Sequence, residues 1–234
     1  MCYVTSEMSR DAINRMTDFY ENLASLYEGY GIKILDDTCR RNSLMSHAQE
    51  KFFSEEIKNK YPNAYCDGRT GQADIVIPEI KKELECKLTT RRAKGGYSLQ
   101  ADYGTLKRKG SCDFLYVLTD RDFSSFSVLF FNNLTIDDFS IPSPGSRGKS
   151  KMNKAKAMKK CTVLMGSVST QNEFQINKIK EEIKNEKKDP VKFNRRKRKV
   201  QKLFERLEHW KNAPDRFLIN LEKTSGREEK TYSR

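Results

Sequence analysis

"GQADIVIPEIKKELECKLTT", residues 71–90, is the stretch whose reading decides the fold. Two short runs rich in branched apolar residues flank Pro78 and a lysine pair, the pattern of two strands joined by a turn. Charged residues interrupt both runs: Asp74 opens the first, and Glu85 and Lys87 sit inside the second. Strand side chains alternate between faces, so Ile75, Ile77, Leu84, Cys86 and Leu88 fall on one face and Asp74, Val76, Glu85 and Lys87 on the other. A turn centred between Ile80 and Lys81 pairs Ile77 with Leu84, Ile75 with Cys86 and Asp74 with Lys87. A slip of one residue would mix the two faces, so the pattern itself selects a register.

Two carboxylates on one face repel each other unless positive charge sits between them. Lys87 supplies one such charge, and a divalent cation would supply more. Magnesium suits the set, because it prefers oxygen ligands, uses one or two carboxylates and keeps its waters. A metal held there can bind a phosphate oxygen and lower the pKa of a bound water. Lys87 can then orient or deprotonate that water, or offset developing negative charge. The hairpin thus carries the parts needed for phosphodiester hydrolysis.

Outward from the hairpin, apolar residues recur at three- and four-residue steps in two upstream segments. Met8, Ala12, Met16, Phe19, Tyr20, Leu23 and Tyr27 predict a helix over 6–28, and Met45, Ala48, Phe52, Phe53 and Ile57 another over about 44–60. Downstream, a helix is expected over about 98–109 and strands over 112–119 and 126–134. This order predicts a mixed α/β layer built on one sheet. "IPSPGSRGKSKMNKAKAMKK" (141–160) joins proline and glycine to a crowd of lysines and reads as a basic loop. One more strand can occupy 161–168, with helices over about 171–187 and 191–212. The last helix carries an apolar stripe of Val200, Leu203, Phe204, Leu207 and Trp210, a core or dimer seam. The expected organisation is a core over 1–140, a basic loop over 141–160, and a basic, mostly helical region over 161–234.

Of the 234 residues, 36% are hydrophobic and 33% charged, a balance that suits a folded chain with a large polar surface. No apolar run approaches the ~20 residues that span a bilayer, and the start lacks a secretory pattern, so an intracellular protein is expected. Six scattered cysteines without a C-x-x-C pair, and two histidines, do not make a recognisable zinc set. The net charge of +13 attracts polyanions, of which nucleic acid is the commonest. No lipid anchor signal is present, and no membrane partner is expected.

Asp74 on one strand and Glu85-Cys86-Lys87 on the next resemble the catalytic signature of the PD-(D/E)XK nuclease superfamily, whose best-known members are type II restriction endonucleases. The resemblance implies a restriction-endonuclease-like α-β-β-β-α-β core with a mixed sheet. It implies that Asp74 and Glu85 bind the metal with the Cys86 carbonyl, and that Lys87 assists the attacking water. Many members add a glutamate on the preceding helix; Glu50 is the candidate for catalysis and metal binding, with Glu56 as competitor. Some place a glutamine or lysine on the following helix, where Gln100 and Lys107 are candidates. Ala73 stands where the proline of the motif's name would be, and nothing after Ser140 matches a family pattern.

The resulting expectation is a Mg2+-dependent endodeoxyribonuclease, with Mn2+ able to substitute, cutting double-stranded DNA and leaving a 5′ phosphate. Arg91, Arg92 and Lys94 would grip the phosphates beside the cut, Gln100 is a further nucleic-acid-binding candidate, and Arg195, Arg196, Lys197 and Arg198 would hold the flanking backbone. Cleavage of a symmetric duplex site implies a homodimer. Two alternatives stand beside it. One is a repair, recombination or RNA endonuclease of the same fold, the RNA form suggested by His47, since viral cap-snatching endonucleases add a metal-binding histidine. The other is a non-catalytic basic nucleic-acid binder.

Overall fold

The computed structural model describes residues 2–66, 72–92, 96–188, 197–213 and 217–224. Two compact units divide the chain: Met1–Ser167 with Leu221–Arg234, and Val168–Asn220. The boundary expected at 140 therefore falls inside the first unit.

In the first unit, α1 (Ser6–Gly29) is capped by Thr5, whose side chain accepts the Met8 N–H. Helix α2 (Thr38–Lys58) starts earlier than its apolar pattern indicated, because Asp37 caps it by accepting the Arg40 N–H. Strands β1 (Tyr65–Cys66), β2 (Ile75–Ile77) and β3 (Lys82–Thr90) follow. Next come β4 (Gln100–Asp102), α3 (Tyr103–Lys109), β5 (Ser111–Thr119) and β6 (Ser125–Thr135). After β7 (Lys149–Lys151) and α4 (Lys154–Ala157), β8 (Cys161–Met165) returns to the sheet.

The main sheet is mixed. Its order is β1-β2-β3-β5-β6, with β8 also paired to β6, and a late strand, Glu222–Lys223, adding to β6. Among the described residues of this sheet only β3 and β5 run parallel; β1–β2, β2–β3, β5–β6 and β6–β8 are antiparallel. Strand β5 is central and buried along nearly its whole length, which explains its unbroken apolar run. One face packs on α1 and α2: Ile13, Met16, Met45, Phe53 and Ile57 join Ile75, Ile77, Leu84, Leu115 and Val117 in one core. Burial of each large side chain there is worth about 1.5–3 kcal/mol. On the opposite face Tyr116 stacks on Phe114 and meets Phe131 edge-on, and its hydroxyl donates to the Gln100 carbonyl at 2.8 Å.

Two expectations are corrected. The helix expected over 98–109 begins only at Tyr103. Leu99 and Ala101 are buried while Gln100 and Asp102 are half-buried, a strand alternation, and Asp102 then caps the helix through the Thr105 N–H. Gln100 therefore lies on β4, paired with Lys151, and not on a helix. The basic segment 141–160 is no plain loop, because it holds β7 and α4. Its chain is tied down by Met152 N–H donating to the Leu99 carbonyl, and by burial of Ser150.

In the second unit, β9 (Ser167–Thr170) pairs with β10 (Phe217–Asn220). A capping box of Thr170 and Glu173 starts α5 (Gln171–Lys187). Helix α6 (Lys197–Asn212) lays Leu203, Leu207 and Trp210 on Ile176, Ile179 and Ile183 of α5. Those members of the expected stripe make an intramolecular core. No helix among the described residues is long and apolar enough to cross a membrane.

Candidate active site

The β2–β3 hairpin pairs Ile75 with Leu84, Val76 with Glu83 and Ile77 with Lys82. That register is two residues tighter than expected, because Pro78–Ile80 form a single 3-10 turn that Lys81 closes in the left-handed region at φ 51°. A shift of two preserves every side chain's face. Ile75, Ile77, Leu84 and Cys86 are buried, and Asp74, Glu85 and Lys87 share the other, half-buried face.

Asp74 Oδ2 accepts the Cys86 N–H at 2.7 Å, which fixes the aspartate across the hairpin. Lys87 Nζ stands 2.6 Å from Glu85 Oε1 and 3.8 Å from Asp74 Oδ2. Burial, then the Glu85 charge, pushes the Asp74 carboxyl up, while Lys87 and the Cys86 N–H pull the other way. Burial works against the Lys87 ammonium, yet Glu85 and Asp74 outweigh it and raise its pKa, so Lys87 is charged at neutral pH. The Cys86 thiol is raised well above its ordinary value by burial, and it faces the core.

Glu50 reaches this set from α2. Burial, then the charge of Asp74, pushes its carboxyl up to about 7, with Lys87 opposing and Glu85 adding to the rise. Its neighbour Gln49 is fully buried and donates from Nε2 to the Leu115 carbonyl at 3.1 Å, which sets the rotation of α2 over β5. Glu56 turns elsewhere: Arg15 of α1 binds it at 3.2 Å and also pairs with Glu55. Between the two glutamates, Glu50 is the one coupled to the hairpin.

When ionised, Glu50, Asp74 and Glu85 place three negative charges around the single ammonium of Lys87. Among the described residues, no group of three or more His, Cys, Asp or Glu side chains forms a metal cage. The donor set still fits Mg2+, which takes one or two carboxylates and fills its remaining positions with water or substrate oxygens. Asp74, Glu85 and the Cys86 carbonyl would hold it, with Glu50 alongside.

The remaining candidates scatter. Arg91 and Arg92 are exposed just beyond β3, and the Arg91 N–H donates to the Thr119 carbonyl, prolonging the β3–β5 pairing. His47 and Lys107 are exposed on α2 and α3. Arg198 is exposed on α6 in the second unit. Lys94, Arg195 and Arg196 lie outside the described residues, and of Lys197 only the backbone is described. Two groups were missed. Lys109 pairs with Glu83 at 2.7 Å and adds a small opposition to the rise of the Asp74 pKa, a placement its sequence position did not signal. Arg41 is almost wholly buried; its spacing from Met45 and Ala48, on the apolar face of α2, was a legible sign.

In comparison with known proteins, no family model matches this sequence and no curated protein matches it.

Proposed function

We propose that this chain is a divalent-metal-dependent nuclease with a restriction-endonuclease-like core, hydrolysing phosphodiester bonds of DNA. One observation carries the reading. A single hairpin face gathers Asp74, Glu85 and Lys87 within ion-pair reach, and the flanking helix adds a carboxyl pushed up to about 7. Apart from the short β4, the order of α2, β1, β2, β3, α3 and β5 follows the helix–three strands–helix–strand plan expected for such enzymes, and this supports the same reading. When bound, Mg2+ would supply Lewis-acid activation of water and charge neutralisation at phosphate. The residues divide the remaining work. Lys87 is held charged by its two carboxylates, so it serves as a donor offsetting negative charge on the attacked phosphate rather than as the base. Glu50, whose carboxyl is pushed up to about 7 in the metal-free protein, is the candidate to accept the proton from water. Cutting both strands of a symmetric duplex would call for a two-fold pair of chains.

The test is incubation of the protein with plasmid DNA, a synthetic four-way junction and single-stranded RNA, each in millimolar Mg2+. Discrete plasmid fragments are expected. Asp74→Asn, Glu85→Gln and Lys87→Ala are each expected to lower the rate roughly 10²–10⁴-fold. Preference for the junction or for RNA would redirect the substrate while keeping the chemistry. A second reading, a basic nucleic-acid binder without catalysis, draws on the +13 net charge. It gains if none of the three substrates is cut and DNA binding survives all three substitutions.

A further inference from the structure

Beyond the carboxyl ends of the parallel strands β3 and β5 lies a cleft of about 680 Å³, lined by Thr38, Arg41, Thr90, Arg91, Asp120, Arg121 and Asp122. Open α/β sheets commonly bind ligands at such strand ends. Arg41 is 2% exposed, and among the described residues no carboxylate pairs with it. Its Nη1 donates to the Arg121 carbonyl at 2.8 Å, the guanidinium lies 5.4 Å from the centre of the Phe123 ring, and Nε has no partner. A buried guanidinium without a counter-charge is strongly disfavoured, and the aromatic ring compensates only in part. Arg91 and Arg121 are exposed at the rim. Asp120 and Asp122 set two carboxylates against these three guanidiniums and leave the cleft one positive charge in excess. Asp120 accepts from Ser124 and Ser125 N–H and from the Ser124 hydroxyl at 2.9 Å, and Asp122 lies 3.1 Å from that same hydroxyl. Both acids are engaged in closing the β5–β6 turn.

We propose that this cleft is a phosphate subsite, with the Arg41 guanidinium at its floor and Arg91 and Arg121 at its rim, taking a phosphate of the bound strand. The strand assignment rests on the nuclease reading; the phosphate chemistry does not. Guanidinium forks match phosphate oxygens bidentately, and a phosphate would give Arg41 the direct ion-pair partner it lacks among the described residues. Thr90 is three residues along β3 from Lys87, about 10 Å at the rise of a strand and on the opposite face, so a strand touching both places would pass around the carboxyl end of β3.

The test titrates inorganic phosphate into the full chain without metal, at constant ionic strength, by calorimetry and thermal shift. Saturable binding is expected, weakened about tenfold by Arg41→Met and by Arg121→Ser. Arg121→Ser keeps the carbonyl that holds Arg41 and alters only an exposed side chain, so a folding failure of Arg41→Met leaves the test intact. No saturable binding, or undiminished binding in Arg121→Ser, overturns the subsite. A phosphorylated oligonucleotide should displace the phosphate and its uncharged methylphosphonate analogue should not. Failure of the charged strand to compete overturns the strand assignment and reassigns the subsite to free phosphate. Repeating the titration in Asp74→Asn separates the two proposals: phosphate binding without any cleavage by the wild type counts against the nuclease chemistry alone.

Discussion

Glu50 titrates near 4.5 in an unfolded chain and at about 7 in the folded one, so between those values the folded state holds the extra proton. Its burden on stability is absent below about pH 4.5, grows as pH rises, and is complete above about 7. Glu50→Gln should leave the Tm of the metal-free protein unchanged at pH 4 and raise it at pH 8. With screening of this half-exposed group the gain is about 1 kcal/mol, or roughly 2–4 °C for a chain of this size. Thermal unfolding in chelator at both pH values checks this, and an equal shift at both would remove the coupling. Mg2+ should likewise stabilise the wild type more than Asp74→Asn, since only ligand bound to the folded state raises Tm. The placement of Asp74, Glu85 and Lys87 on one face was legible because alternation along a strand is a local property. The choice of Glu50 over Glu56 was not, because it depends on Arg15, which is 41 residues away from Glu56.

At the scale of elements, the tight β2–β3 connection depends on Lys81 in a left-handed conformation. That conformation costs a side-chain-bearing residue roughly 1–2 kcal/mol, and part of any gain from glycine is lost to its unfolded-state freedom. Lys81→Gly should therefore stabilise by about 0.5 kcal/mol, raising Tm by about 1–2 °C, with the register unchanged. A fall in Tm would show that the Lys81 side chain contributes more than the backbone relief. Thr170→Ala removes the capping box of α5 and should cost about 1 kcal/mol in the second unit, read by urea unfolding. That cap could be seen in the sequence as Thr170 three residues before Glu173. Strand β4 could not, because three residues are too few to establish a period, and their identity as a strand comes from pairing with Lys149–Lys151.

For the whole molecule, the two units differ in what holds them. The first buries both faces of its central strand beneath α1 and α2 on one side and an aromatic layer on the other. The second rests on a small core of Ile179, Ile183, Leu203 and Leu207. Hydrogen exchange should accordingly be slowest in β5 and β6 and distinctly faster throughout α5 and α6. Comparable protection in both would contradict the assignment of stability to core size. Binding of a DNA duplex, if six phosphates are neutralised, should weaken about a thousandfold between roughly 50 and 200 mM salt.

From its sequence alone this protein's mixed α/β character, its hairpin faces and the convergence of Asp74, Glu85 and Lys87 could be derived. Each is written in residue periodicity within a few turns or strands, where local geometry allows one answer. Tertiary structure alone decided that β8 joins the sheet through β6, that Glu50 feels the charges of the hairpin, and that Arg41 lies buried with no ion-paired carboxylate among the described residues. Those outcomes depend on which distant segments meet, and contacts between residues far apart in the chain leave no period along it to be read.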